Sequence, residues 1–151
     1  MSTEENKAIV RRYLEEVIHH GNVDAVDLSI ATNHVLHWPG SPNPVCGPEG
    51  FKQLLTVYAR AFPDLHWTTE EVSAQDNTVV ACLRAQGTHQ REVMGMPPTG
   101  KQATWTEIHI FRLAGGKLVE QWTTLDQVGT LQQLGVIPSM EQARTSTLRP
   151  K

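Results

Sequence analysis

Trp105-Thr106-Glu107-Ile108-His109-Ile110-Phe111-Arg112-Leu113-Ala114-Gly115-Gly116-Lys117-Leu118-Val119-Glu120-Gln121-Trp122-Thr123 carries the clearest structural signal in the chain. Two runs with period-two alternation flank a Gly-Gly pair, the pattern of strand, turn and strand. A three-residue loop with Gly116 in the left-handed position of a bulge pairs Leu113 with Lys117. Phe111 then faces Val119, His109 faces Gln121, and Glu107 faces Thr123. Side chains alternate across a strand, so these residues share one face, flanked by Trp105. Polar groups among bulky apolar ones suit a ligand pocket. The opposite face carries Ile108, Ile110, Leu118 and Trp122, apolar without polar partners, and suits a core or a subunit interface.

Upstream, the segments His66–Val72 and Thr78–Gly87 also read as strands. Together with Gln102–Leu113 and Lys117–Asp126 they give a mostly antiparallel sheet. Helices come first. Ser2 and Glu5 form a capping-box pair ahead of Ile9, Val10, Tyr13, Leu14, Val17 and Ile18, an amphipathic stripe that stops near His20-Gly21. A second short helix is expected over Val23–Ile30, followed by a short strand, Val35–Trp38, and a Pro-rich loop from Pro39 to Pro44. Pro48 opens a third helix through Phe51, Leu54, Leu55, Tyr58 and Phe62, which Pro63 ends. Leu131–Leu134 forms a terminal helical turn. This order is that of an α+β domain over residues 1–138, with a polar, flexible tail from 139 to 151. A curved sheet wrapped around three N-terminal helices makes a cone-shaped barrel with a pocket at its open end.

With 151 residues and 39% hydrophobic side chains, the chain can bury a core without cross-links. Its net charge of −3, spread without basic clusters, argues against nucleic acid or an anionic membrane as partner. Two distant cysteines, Cys46 and Cys82, and an acidic N-terminus without an apolar leader point to a reduced, cytoplasmic protein. No run reaches the about 20 apolar residues of a membrane helix. Histidines at metal-binding spacings, a phosphate-cradling Gly loop and a G-x-S-x-G elbow are all missing, so a site without metal or cofactor is expected.

Further motifs extend the reading beyond physics alone. Thr88-His89-Gln90 leads into Met94-Gly95-Met96-Pro97-Pro98-Thr99-Gly100-Lys101; Ala61-Phe62-Pro63-Asp64-Leu65 precedes it, and Leu131-Gln132-Gln133-Leu134-Gly135 follows the hairpin. In this order they resemble the SnoaL-like polyketide (ester) cyclases of the ketosteroid-isomerase-like α+β barrel superfamily, across roughly residues 6 to 138. The resemblance implies cofactor-independent removal of a proton beside a carbonyl, then intramolecular aldol closure or isomerisation of a small polyketide-like ligand. It also implies a homodimer or homotetramer associated through the sheets.

In that family the last strand reads Glu-His-Trp-Asp, with the aspartate as acid/base. Here Glu120-Gln121-Trp122-Thr123 puts Thr123 at its position, and a hydroxyl is no base near neutral pH. Glu107, expected opposite Thr123, could supply the carboxylate instead, with a pKa raised by an apolar pocket. His109 and His37, which has a matching histidine in the family, would hold the carbonyl oxygen, and Gln121 and Thr123 would donate hydrogen bonds. Trp38, Tyr58, Phe62, Met94, Trp105 and Phe111 are candidate walls. His89 either anchors its loop or enters the site; Asp126 either caps the terminal turn or reaches the pocket. The remaining functional alternatives are a small-molecule binding protein without catalysis and a relative that opens epoxides or hydroxylates.

Overall fold

The structure, a computed structural model, describes residues 2–141 and 144; most of the tail expected from 139 onward lies outside them. Helix α1 (Thr3–Tyr13) opens on the expected capping box: the Glu5 N–H donates to Ser2 Oγ at 3.1 Å, and the Ser2 N–H to Glu5 Oε2 at 3.2 Å. The helix continues as a wider π-turn over Leu14–His19 and stops at Gly21, whose φ of +65° is left-handed. Its stripe of Val10, Tyr13, Leu14, Val17 and Ile18 is buried.

The second helix is shorter than expected: a 3-10 turn (Val23–Ala25), then α2 (Val26–Ser29). From Ile30 the chain is already strand β1 (Ile30–His37), twice the length read from the sequence. The cause is non-local, since β1 runs parallel to the last strand and takes its backbone partners from there. The short strand β2 (Val45–Cys46) leads into α3 (Gly47–Ala61), with Pro48 in its first turn. Strands β3 (His66–Gln75), β4 (Thr78–Thr88), β5 (Gln102–Ala114) and β6 (Lys117–Leu125) follow, and then α4 (Gln127–Gln133). The strand order β2-β1-β6-β5-β4-β3 gives one curved, unclosed sheet, antiparallel except at β1–β6. Helices α1 and α3 fill its concave side and form the main core with Phe111, Leu113 and Leu118.

The hairpin differs from the expected register. Gly115 and Gly116 have φ of +56° and +80°, a two-residue turn with both central residues left-handed. Ala114 therefore pairs with Lys117 and Leu113 with Leu118; a bulge at Val119 then brings Arg112 opposite Glu120. Turn and bulge together move the register by an even number of residues, so the polar face survives intact. Its cross-strand partners change, however: His109, not Glu107, lies opposite Thr123, and Glu107 lies opposite Leu125. Leu118 turns inward and is fully buried, leaving Ile108, Ile110 and Trp122 on the outer face.

Two motifs shared with the resembled family prove structural. Asp64, just past α3, accepts the Thr88 N–H at 2.7 Å and the Thr88 hydroxyl at 2.8 Å, clamping this turn to the end of β4. Beside it, a Cβ on Gly87 would sit 3.0 Å from Phe62 Cβ, so only glycine lets that ring close over the strand. Among the described residues no helix is long and apolar enough to cross a membrane.

Candidate active site

Side chains at 105, 107, 109 and 111 of β5 all point into the cone, because a strand sends every second residue to one face. Gln121 and Thr123 of β6 join them, and both are buried. Glu107, His109 and Gln121 line a narrow cavity of about 40 Å³. Tyr13 and Ile18 reach it from α1 and its π-turn; Trp38, from the end of β1, and Tyr58, from α3, meet edge to face at 5.5 Å on its rim. Phe51, Leu54, Leu55 and Trp67 complete an apolar wall.

The buried Glu107 carboxylate is held by three N–H donors. Trp67 Nε1 and Trp105 Nε1 donate to Oε2 at 3.0 and 2.9 Å, and His109 Nε2 donates to Oε1 at 2.8 Å. Burial alone would push this carboxyl up. The His109 ring and the two indoles outweigh burial and hold it below the usual carboxylate range. The raised pKa expected from an apolar pocket is thus reversed, because the pocket supplies donors with its apolar surface. An ionised Glu107 places the His109 proton on Nε2 and leaves Nδ1 as an acceptor. Around Nδ1, Gln121 Nε2 and Thr123 Oγ1 each lie at 3.1 Å, and Gln121 Nε2 also donates to Thr123 Oγ1 at 3.1 Å.

Among the described residues, two polar atoms of the cavity lining have no partner: Tyr13 Oη and Gln121 Oε1. Burial, with the Glu107 charge added, pushes the Tyr13 hydroxyl far up, so it stays a neutral donor. Buried polar atoms normally find partners, and two unpaired ones beside a cavity mark where a ligand's polar atoms belong.

Of the residues singled out from the sequence, Glu107, His109, Gln121, Trp38 and Tyr58 meet at the cavity. Thr123 lies behind His109, outside the lining. Phe111 stacks under the His109 ring at 5.7 Å and belongs to the core. Trp105 acts through Glu107; with Phe62 and Met94 it lines a separate crevice under α4. Met94 is largely exposed, at 53%.

His37 is not in the site. Strand β1 turns His34, Leu36 and Trp38 inward, so His37 faces out, 2.7 Å from Glu120 Oε2 and stacked on Trp122. His89 anchors its loop: Nδ1 accepts the Thr99 N–H at 3.3 Å, with Thr99 Oγ1 at 3.1 Å. Asp126 is exposed and caps α4, accepting the Gly129 N–H at 2.9 Å.

Tyr13 and Trp67 were missed. Tyr13 reads as one more member of an apolar helical stripe, and its only signal is a hydroxyl where a hydrocarbon would pack as well. Trp67 is the lone aromatic in a polar strand. Among the described residues no group of three or more His, Cys, Asp or Glu could hold a metal ion.

Known proteins resemble this chain in sequence and in fold. The chain is 32% identical over 130 residues to the aklanonic acid methyl ester cyclase of Streptomyces peucetius, covering 84% of this chain and 88% of that one. It is 34% identical over 91 residues to the nogalonic acid methyl ester cyclase of Streptomyces nogalater, covering 59% and 67%. Among solved structures, IdmH of Streptomyces antibioticus superposes with a TM-score of 0.74 at 30% identity, over 85% of this chain and 98% of that one. A SnoaL-like protein of Jannaschia sp. CCS1 shares the fold, with a TM-score of 0.82 at 22% identity over 90% and 95% of the two chains. The SnoaL-like polyketide cyclase pattern itself matches residues 8–134, nearly the whole described fold, and the chain belongs to that family.

Proposed function

We propose that this protein closes a ring in a polyketide-like ester or ketone by cofactor-independent proton transfer and intramolecular aldol addition. The observation that carries the reading is the buried Glu107–His109 pair, at 2.8 Å, in a largely apolar cavity. On substrate entry the 3.1 Å contacts of Gln121 and Thr123 with His109 Nδ1 give way, Nδ1 takes a proton from the carbon beside a carbonyl, and Glu107 holds the resulting imidazolium. The Tyr13 hydroxyl donates to the enolate oxygen. The enolate carbon then attacks a second carbonyl of the same molecule, whose oxygen recovers the proton from His109, so atoms and charge balance. Return of the proton to a different carbon would be isomerisation; the names of the relatives favour ring closure.

Glu107 is a poorer base than its position in the sequence suggests. Its oxygens already accept three donors, whereas the neighbours of His109 Nδ1 are neutral and at 3.1 Å. We assign Glu107 to positioning and charge balance, and Gln121 and Thr123 to orienting the ring. Cavities for fused-ring ligands run to about 300–1,000 Å³, so the walls must part for such a substrate.

The two free cysteines suit a reducing cytoplasm. The exposed Ile108, Ile110 and Trp122 support pairing of two copies through the outer sheet face.

The test is deuterium incorporation beside the carbonyl, run in D₂O over a panel of polyketide-like esters and cyclic ketones. Wild type is expected to exchange at least one of them in a His109-dependent manner. No exchange across the panel would overturn the enzyme reading and leave a binding protein.

A further inference from the structure

A second, wider recess of about 250 Å³ adjoins the cavity. Ile18, Leu55 and Trp67 line both, so these three side chains are the partition between them. The walls of the recess are otherwise largely apolar, with Val17, Val23 and Ala59. Two cations stand out against them: Arg60, in the last turn of α3, and Arg91, in the loop after β4.

The backbone brings them together. Ala61 O accepts the N–H groups of Gln90 and Arg91 at 2.8 and 3.3 Å, fastening this loop to the end of α3. Elsewhere in the chain Arg84 pairs with Glu70 and Arg112 with Glu120. Neither Arg60 nor Arg91 has an ion pair or side-chain hydrogen bond among the described residues. Two exposed arginines on the wall of one largely apolar recess give it a cationic edge that suits an anion.

Resting on the cavity as the reacting site, we infer that this recess is the entrance subsite. Arg60 and Arg91 hold a carboxylate or ionised phenol carried by the flat, apolar substrate. The body of the ligand lies against Trp67, and its reacting end passes the Ile18–Leu55–Trp67 partition toward His109. The relatives are named for methyl esters of acids. This chain would instead discriminate in favour of a substrate that keeps an ionised group at its outer end.

The experiment compares anthraquinone-2-carboxylate with its methyl ester, a pair matched in shape and differing in charge, by quenching of tryptophan fluorescence. Exposed ion pairs are weak, so wild type should prefer the carboxylate by about three- to tenfold. The preference should shrink in about 0.5 M salt. The R60Q/R91Q variant should bring the ratio close to one, and R60K/R91K should keep part of it. A wild-type ratio near one, or a ratio that persists in R60Q/R91Q, overturns the inference. Failure here is distinguishable from failure of the proposed reaction: exchange that depends on His109 without any carboxylate preference removes the entrance subsite alone.

Discussion

Glu107 Oε1 lies 2.8 Å from His109 Nε2, and the two residues are neighbours on the same face of one strand. Because both positions are on β5, their separation is fixed by the strand repeat and does not depend on how neighbouring strands register. In the family reading, a carboxylate on the last strand would meet this imidazole from the other side. Here Thr123 occupies that side, 3.1 Å from Nδ1, and the carboxylate stands on the near side. With Glu107 on Nε2, Nδ1 is the nitrogen left with an open lone pair for the proposed proton transfer, and an imidazolium formed there would have a buried counter-charge.

His109→Gln should lower deuterium exchange by about 10²–10⁴-fold, the usual contribution of a general base. Glu107→Gln should lower kcat strongly with KM little changed, since it leaves the walls intact and removes the counter-charge. Single-site kinetics on an exchanging ketone check both. If His109→Gln kept wild-type rates while Glu107→Gln lost them, the base would be Glu107 itself.

Thr123→Asp should have opposite effects in two backgrounds. With Glu107 present, the imidazole is bracketed by two carboxylates, is held protonated, and loses its function as base. Exchange should then fall. In the Glu107→Gln background the new carboxylate should restore about tenfold or more of the lost rate, because it supplies the missing counter-charge from the opposite side. The check is a double-mutant cycle. A double variant slower than Glu107→Gln alone would rule out this exchange of roles.

What the sequence made legible was local. The capping box, the buried stripe of α1, Pro48 at the head of α3 and the polar face of the hairpin all rest on spacing within one segment. The cross-strand pairing was not legible: a Gly-Gly turn closes in more than one way, and the bulge at Val119 carries no strong signal of its own. His37 was a site candidate through its match to a family histidine; the inward face of β1 is set by its parallel partner β6, 85 to 88 residues away, and His37 lies on the other face. Tyr13 was hidden within a helical stripe that would look the same with phenylalanine there.

His34 should make stability depend on pH in a defined window. Its ring is fully buried edge-on against Phe51, has no hydrogen-bond partner among the described residues, and burial lowers its pKa from 6.5 to about 4. The unfolded chain therefore takes up the proton first. Stability from this group is complete above pH 6.5, falls between 6.5 and about 4, and is level below that. The total is of the order of 3 kcal/mol. Glu107, with a lowered pKa, loses its contribution only below its ordinary value of 4.5, so the two windows are largely separate. Urea midpoints of wild type and His34→Leu at several pH values should show the decline between 6.5 and 4 in wild type and its flattening in the variant. Equal slopes would mean that His34 finds a partner in solution.

The outer sheet face gives the last prediction. Ile108, Ile110 and Trp122 are 47%, 38% and 37% exposed side by side on β5 and β6. Beside them Glu120 binds both His37 and Arg112, and the Arg112 guanidinium lies 5.3 Å from the Trp122 ring. Such a patch, apolar at its centre with a rim of satisfied charges, resembles the centre and rim of a protein interface. A chain of 16.8 kDa should therefore run as a dimer or a dimer of dimers in light scattering at micromolar concentration. Ile110→Lys introduces a charge that would be buried without a partner in the pair, and should shift the species to the monomer mass. The side chain points away from the cavity, so the variant should keep its fold by circular dichroism, and its melting temperature should no longer rise with concentration. A wild type that stays monomeric at every concentration tested would show that this face works alone in water.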